Sequence, residues 1–321
     1  MAQNFSNDVE AADALKQAYQ KLKNEIAKVV VGQDDVVKLV LTGIFCQGHS
    51  LLVGVPGLAK TLLVQTIATS LDLQFKRIQF TPDLMPSDIV GAETMDKERN
   101  FQFVKGPIFA NIILADEINR TPPKTQAALL ESMQEYAVTI AGNQYKLPRP
   151  FFVLATQNPI EQEGTYPLPE AQLDRFMFNI FLDYPSYQQE VDIVKNTTAD
   201  DVLKVSKVLT ADEIVSFQHL VRRVPIADNV VEYAVKLSQA TRPGPSGSSL
   251  ANEFLEWGAG PRASQYLVLG AKCNALINGK YSPDIEDVQA VARPVLRHRI
   301  VRNFKAEAEG MTVDNLIGKL I

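Results

Sequence analysis

The sequence predicts an α/β domain with a mainly parallel five-stranded sheet, followed by a small all-α domain. Up to about residue 185, short apolar runs typical of strands buried on both faces alternate with helical patterns. Beyond a proline-containing boundary at Asp183–Ser186, strand signals fade and helical patterns dominate. A chain of 321 residues exceeds one ordinary domain. We therefore expect a first domain over 1–185 and a second over 186–321.

The first domain begins with two helical segments, from about Asp8 to Lys28 and from Asp34 to Cys46, joined by an apolar turn. An apolar helix is also predicted from Leu62, and another over Lys124–Gln134. Five strands are predicted, at Ser50–Val53, Gln74–Phe80, Ile112–Ala115, Phe151–Ala155 and Phe176–Leu182.

Two polar hairpins interrupt this alternation. The first is expected at about 93–103 with its turn near Asn100, and the second at 136–147 with its turn at Gly142-Asn143. Insertions of this length in a compact domain are usually functional.

The second domain shows helical periodicity throughout. Its predicted helices are Gln188–Asn196, Ala211–Val221, Asp228–Ala240, Ala263–Leu276 and Pro283–His298. We expect Trp257 in the core of this domain, and Cys46 and Cys273 as buried free thiols.

Composition excludes several classes of protein. The apolar fraction of 46% is ample for packed cores, and the net charge of −5 argues against a binder of nucleic acid. The N-terminus lacks the pattern of a signal peptide, and no apolar run approaches the length of a membrane span. We expect a soluble cytoplasmic protein without structural zinc, because the three histidines have no ligand-like spacing.

A phosphate-binding loop is predicted between the first strand and the helix that follows it. Its residues are Gly54, Val55, Pro56, Gly57, Leu58, Ala59, Lys60, Thr61 and Leu62. Backbone N–H groups of such a loop and of the helix N-terminus face anionic oxygens. Lys60 is expected to contact the β- and γ-phosphates, and Thr61 to hold Mg²⁺. The alternative is a Gly-Pro turn between a core strand and a core helix, with Lys60 solvated.

The loop departs from the pattern G-x-x-x-x-G-K-[ST] at one position, where Ala59 replaces glycine. A Cβ atom there penalises positive φ. Either the backbone keeps negative φ at 59, or Gly57 provides the turn.

An acidic pair follows the third predicted strand. Asp116 is expected to hold Mg²⁺ directly or through water, and Glu117 to accept a proton from an attacking water. The alternative is an ordinary acidic strand end or helix cap. Because open parallel sheets bind ligands at the carboxyl ends of their strands, we expect the pair beside the phosphate loop.

Two further side chains are candidates for the same chemistry. Asn158 follows the fourth strand and could orient the attacking water, or could serve as a turn residue before Pro159. Arg175 precedes the fifth strand and could stabilise charge on a transferred phosphoryl group. A structural ion pair of Arg175 with Asp174 or Glu170 fits the sequence equally well.

Taken together, these motifs resemble those of the MoxR family of AAA+ ATPases, and the resemblance covers nearly the whole chain. It rests on Gly54–Thr61, Leu114–Arg120, Ala155–Pro159, Glu170–Phe176, Gly260–Ser264 and Val295–Arg299. Pro-Gly-Leu-Ala-Lys-Thr is similar to the family's form of the phosphate loop, so Ala59 is normal there.

The resemblance implies a role for each motif. Lys60 and Thr61 belong to Walker A, and Asp116 and Glu117 to Walker B. Asn158 is sensor 1, Arg175 is an arginine finger for the neighbouring subunit, and Arg262 is sensor 2. Val30, Val31 and Gly32 line the adenine pocket. The role of Arg120 is left open between reading an adjacent subunit and capping a helix.

The resemblance also implies cofactors and partners: ATP and Mg²⁺, a homo-oligomeric ring (commonly a hexamer), a protein client and a partner with a von Willebrand factor A domain. Both hairpins would face the ring's pore and touch the client. The implied function is ATP-driven, chaperone-like remodelling or maturation of protein complexes, including metal-centre insertion. Three alternatives remain: a nucleotide-gated scaffold, a magnesium-chelatase-like motor subunit, and a DNA helicase. The helicase would want basic or aromatic residues on the hairpins.

Overall fold

The computed structural model describes residues 7–95, 101–160, 164–198, 204–245 and 247–321. The chain forms two compact units. The described residues of the sheet unit fall in Gln20–Leu168 and Ile180–Val215. Those of the helical unit fall in Met1–Tyr19, Pro169–Asn179 and Ser216–Ile321. Each unit thus draws on separate stretches of sequence, and the predicted division at 185/186 stays a prediction.

A five-stranded sheet organises the sheet unit and confirms the predicted fold class. Its strands are β1 (Ser50–Val53), β2 (Phe75–Gln79), β5 (Ile112–Asp116), β8 (Phe152–Gln157) and β9 (Phe178–Phe181), in the spatial order β2-β5-β8-β1-β9. The pairs β1–β8, β2–β5 and β5–β8 are parallel. Residues Ile112–Ala115 are fully buried on β5, which lies between β2 and β8, and this burial explains why their sequence is a continuous apolar run.

Helices and two hairpins accompany this sheet. They are α2 (Asp34–Phe45), α3 (Lys60–Ser70), α4 (Pro86–Val90), α5 (Pro123–Glu135) and α7 (Tyr187–Thr198), with the hairpin strands β3 (Gly91–Met95), β4 (Phe101–Lys105), β6 (Ala137–Ile140) and β7 (Asn143–Lys146). The residues of α1 (Asp8–Ala27) are divided between the two units, and α6 (Glu170–Leu173) belongs to the helical unit. A short 3-10 helix covers Ile118–Arg120. The sequence did not predict α4, in which Pro86 occupies the first turn.

Both hairpins are antiparallel, as predicted. The turn expected near Asn100 lies outside the described residues. The second turn is centred one residue earlier than predicted, because Ala141 and Gly142 both have positive φ, as a two-residue hairpin loop requires.

The helical unit is built around three helices that pack on one another, α9 (Asp228–Ala240), α11 (Pro261–Ile277) and α12 (Ile285–Leu296). The remaining elements of this region are α8 (Ala211–Arg223), α10 (Ser249–Phe254), β10 (Leu255–Trp257), β11 (Val301–Arg302), α13 (Phe304–Ala308) and α14 (Val313–Leu320). The antiparallel pair β10–β11 and the short helices α10, α13 and α14 were not predicted.

Two expectations about single residues have clear outcomes. Cys46 and Cys273 are buried free thiols, as predicted. The expectation for Trp257 is wrong, because its side chain is 67% exposed. None of the helices in the described parts of the chain combines the length and the apolar character needed to cross a membrane.

Candidate active site

The loop between β1 and α3 has the backbone of an anion-binding site. Gly57 and Ala59 have φ of +86° and +50°, and α3 begins at Lys60. The expectation of negative φ at 59 is therefore wrong, although Gly57 does turn the chain. A left-handed alanine costs about 1–2 kcal/mol, so the fold holds this loop in a strained conformation.

Lys60 lies against its own loop. Its Nζ donates a hydrogen bond to the carbonyl oxygen of Gly54 and retains two further N–H donors. The ammonium group is half-buried, and burial lowers its pKa, while the charges of Asp116 and Glu117 act to raise it. A phosphate group close to Lys60 would add negative charge and favour the protonated form of Lys60 further.

The acidic pair lies at the carboxyl end of β5, where Thr156 of the neighbouring strand β8 connects its two members. The Thr156 hydroxyl donates to Oδ1 of Asp116 at 2.6 Å and accepts from the backbone N–H of Glu117 at 2.8 Å. Glu117 has φ of +58°, a left-handed conformation that is uncommon for glutamate. The hydroxyl therefore helps to hold Glu117 in a strained position of the kind that clusters at functional sites.

Side chains from β2 and from the 3-10 helix Ile118–Arg120 also bind the acidic pair. Arg77 donates to Oδ2 of Asp116 through Nε at 3.0 Å and through Nη2 at 2.7 Å. Gln79 donates to Oε2 of Glu117 at 2.8 Å, and Arg120 donates to the same oxygen at 3.1 Å. For Glu117, no hydrogen bond to Oε1 is found among the described residues, which leaves that oxygen available to accept a proton.

Sequence reasoning missed Thr156, Arg77 and Gln79. The available signal was positional, because Arg77 and Gln79 alternate along β2 and therefore share one face near its carboxyl end. Their register opposite Leu114 and Asp116 is a property of the sheet that the sequence alone does not supply.

Asn158 makes the turn contact that the sequence allowed, while its role in orienting a water stays a prediction. Its Oδ1 accepts the backbone N–H of Ile160 at 3.1 Å, which is turn chemistry. The residue is 6% exposed and also lines the central cavity of the site. Its side-chain N–H donors can face that cavity while the oxygen holds the turn.

One cavity of about 370 Å³ brings the predicted residues together. It is lined by Pro56, Gly57, Leu58, Ala59, Lys60, Thr61, Asp116, Glu117 and Asn158. The volume falls within the range of small-molecule sites. Its hydroxyl and carboxylate oxygens suit Mg²⁺, and its N–H groups and ammonium suit phosphate oxygens, so the residues fit both groups.

Other predicted nucleotide contacts are not part of this cavity. Val30, Val31 and Gly32 are half-buried in the sheet unit, and Leu62 is 42% exposed on α3. Gly32 has φ of +76° and lies so close to Gln189 that a Cβ atom would approach that side chain to 2.5 Å. The adenine-binding role of these residues stays a prediction.

Two predicted arginines belong to the helical unit. Asp174 binds Arg262 at 3.1 Å and Arg299 at 2.7 Å. Arg175 forms no ion pair among the described residues, so the predicted alternative of a structural pair with Asp174 or Glu170 is not observed. The guanidinium of Arg175 is therefore available for another partner.

The run Arg297-His298-Arg299 braces the backbone around Arg175. Arg297 donates to the carbonyl of Asn179 at 2.8 Å, and Arg299 donates to the carbonyls of Asp174 and Phe176 at 2.8 and 2.7 Å. His298 Nε2 contacts the Phe176 carbonyl at 3.0 Å. These contacts fix the segment that carries Arg175.

Two family models match parts of this chain. Residues 49–178 match the ATPase family associated with various cellular activities (AAA), and residues 247–320 match the AAA lid domain.

Individual relatives match over nearly the whole chain. Chaperone MoxR1 of Mycobacterium tuberculosis is 42% identical, over 92% of this chain and 79% of its own. Protein MoxR of Methylorubrum extorquens is 30% identical, over 92% of each. A crystal structure of a protein described as a candidate ATPase from Cytophaga hutchinsonii has a TM-score of 0.90 and 43% identity, over 97% of this chain and 95% of that one.

Proposed function

This chain belongs to the MoxR family of AAA+ ATPases, and we propose that it hydrolyses ATP with Mg²⁺ in a hexameric ring to remodel or mature protein complexes. The single observation that carries the hydrolytic part is the cavity that joins Lys60, Thr61, Asp116, Glu117 and Asn158. It supplies a phosphate cradle, oxygen ligands, a carboxylate base and an amide at one place.

Binding of the triphosphate follows from the loop. Backbone N–H groups of the loop and of the start of α3 donate to phosphate oxygens, and Lys60 adds a positive charge. Thr61 and Asp116 would hold Mg²⁺, which when bound neutralises phosphate charge. Arg77 and Thr156 keep the Asp116 carboxylate in a fixed orientation.

Glu117 is the proposed general base. Gln79 and Arg120 hold its Oε2, so Oε1 is the oxygen that accepts a proton from the attacking water. Asn158 is proposed to orient that water through its amide. The positive φ at Glu117 aims the carboxylate without further rearrangement.

Arg175 is proposed to act as an arginine finger on the nucleotide of a neighbouring subunit, and Arg262 is proposed to act as sensor 2. An arginine supplied in this way can raise turnover by about 10³–10⁵-fold. This dependence on a neighbour would make ATP turnover require the ring. The proposed partners are a protein client and a protein with a von Willebrand factor A domain, in the cytoplasm.

The test separates this function from a nucleotide-gated scaffold, which binds ATP and recruits a partner without needing turnover. Glu117→Gln should lower the ATPase rate by about 10²–10⁴-fold while a fluorescent ATP analogue still binds, because only the base is removed. Glu131→Gln is the matched control, since Glu131 is an exposed glutamate of α5. An unchanged rate in Glu117→Gln would reject hydrolysis at this site.

Assembly requires its own measurement. Analytical ultracentrifugation of Glu117→Gln with ATP and Mg²⁺ should give a closed oligomer, and Arg175→Ala should assemble but turn over ATP slowly. A monomer at all protein concentrations would reject the ring.

A further inference from the structure

A second, larger cavity lies entirely within the helical unit. It measures about 660 Å³, and the residues that matter for its chemistry are Glu170, Asp174, Glu256, Trp257, Gly260 and Arg299. Its volume is in the middle of the range of ligand sites and gives room for a short peptide segment. The proposed ATPase chemistry does not use this groove.

Trp257 gives the groove its apolar surface. It is the single tryptophan of the chain, and it is 67% exposed on β10. Leu255 pairs with Arg302 and Trp257 pairs with Val301, so Glu256 is an extra residue in a bulge. Because bulges re-aim side chains, the adjacent residues Glu256 and Trp257 can both line the groove instead of alternating.

The charge of the groove is negative. Asp174 is neutralised by Arg262 and by the buried Arg299. Glu170 and Glu256 are exposed, and neither forms an ion pair among the described residues. An indole face beside two uncompensated carboxylates repels phosphate and carboxylate ligands and attracts a cation.

We propose that this groove binds an arginine side chain presented by a segment of a separate partner protein. A guanidinium can stack on the indole and donate to carboxylates, whereas an ammonium is a compact and strongly hydrated charge. The arginine stem also covers apolar surface. A basic partner is a better electrostatic match than a second copy, because this chain itself carries a net charge of −5.

The experiment uses Trp257 as its own reporter in the full-length chain. Acetyl-Gly-Arg-Gly-amide is titrated while tryptophan emission is recorded, with the same peptide carrying citrulline as the uncharged control. The arginine peptide should give a saturable change in emission. The citrulline peptide should bind at least about fivefold more weakly, because a factor of about five in affinity corresponds to the strongest exposed ion pairs.

Variants then assign the binding to the groove. Glu170→Gln and Glu256→Gln should each weaken binding about two- to fivefold, and the double variant about tenfold. Gly260→Leu should abolish binding, because Gly260 lines the groove and a leucine side chain there would fill it. The variant should still fold, since a Cβ at Gly260 meets nothing within 4 Å and its φ of −78° suits any residue. Glu286→Gln, an exposed glutamate elsewhere in the unit, is the matched control and should change binding less than twofold.

Three results would overturn the proposal. The first is the absence of a saturable emission change, and the second is equal binding of the citrulline peptide. The third concerns iodide quenching of Trp257 in the absence of peptide. If Trp257 becomes more protected as the protein concentration rises, a second copy of this chain occupies the groove instead of a separate partner.

Discussion

Acidification from pH 7.5 to 5.5 should destabilise the sheet unit by about 1 kcal/mol through a single buried histidine, His49. This side chain is 4% exposed beside Tyr136, Phe151 and Phe152. Its Nε2 is 3.0 Å from the carbonyl of Met133, and its Nδ1 is 3.0 Å from the backbone nitrogen of Val153. The neutral ring with the proton on Nε2 satisfies both contacts.

The sign follows from the pKa. Burial lowers the pKa of His49 from 6.5 to about 4, so the folded protein binds a proton less readily than the unfolded chain. Stability is therefore fully present above pH 6.5 and is lost as the pH falls towards 4. The full difference corresponds to about 3 kcal/mol, of which about 1 kcal/mol is expressed by pH 5.5.

The assay is hydrogen exchange of peptides that cover β8. Amides of core strands exchange mainly when the whole unit unfolds, so their protection reports the stability of the unit. After correction for intrinsic rates, β8 in the wild type should lose about tenfold protection between pH 7.5 and 5.5. His49→Gln, which keeps a donor and an acceptor, should lose much less, and His219→Gln, at an exposed histidine, should follow the wild type. Equal losses in wild type and His49→Gln would refute the reasoning.

Three further substitutions test other parts of the structure. Ala59→Gly should stabilise the sheet unit by up to about 1 kcal/mol, because relief of the left-handed strain exceeds the added chain entropy, and a lower melting temperature would contradict this. Arg77→Met should raise the Mg²⁺ concentration for half-maximal ATPase activity about tenfold, since Asp116 loses an orienting partner, and an unchanged Mg²⁺ titration would contradict it. Arg299→Leu should destabilise the helical unit by about 3–5 kcal/mol, because it leaves Asp174 short of a partner. Urea unfolding followed by Trp257 emission measures that loss, and a midpoint within error of wild type would contradict it.

The sequence predicted the sheet well for a physical reason. Strands buried on both faces need continuous apolar side chains, and such runs are recognisable, as the match of Ser50–Val53 to β1 illustrates. The short helices α10, α13 and α14 were missed because five to eight residues carry little periodicity. Trp257 was misplaced because hydrophobicity does not say which apolar residue remains exposed.

The candidate site was also predicted only in part. Its local motifs were predictable, because a loop at a helix start and an acidic strand end are contiguous in sequence. The contacts of Thr156, Arg77 and Gln79 depend on how three strands align, and the left-handed backbone of Ala59 depends on the surrounding fold. The sequence therefore predicted residues that line the cavity and missed those that orient the acidic pair.

Arg175 does not form the ion pair with Asp174 that the sequence allowed. Asp174 and Arg175 are neighbours of opposite charge, and an ion pair between them would have occupied the Arg175 guanidinium. Instead Arg262 and Arg299 occupy the two Asp174 oxygens, while Arg299 also binds the carbonyls of Asp174 and Phe176. The aspartate is thus neutralised without Arg175, and the backbone on both sides of Arg175 is fixed. Because Arg175 forms no ion pair within the described parts of the chain, it can act on a neighbour's phosphate without first breaking such a pair. The proposed mechanism requires this of it.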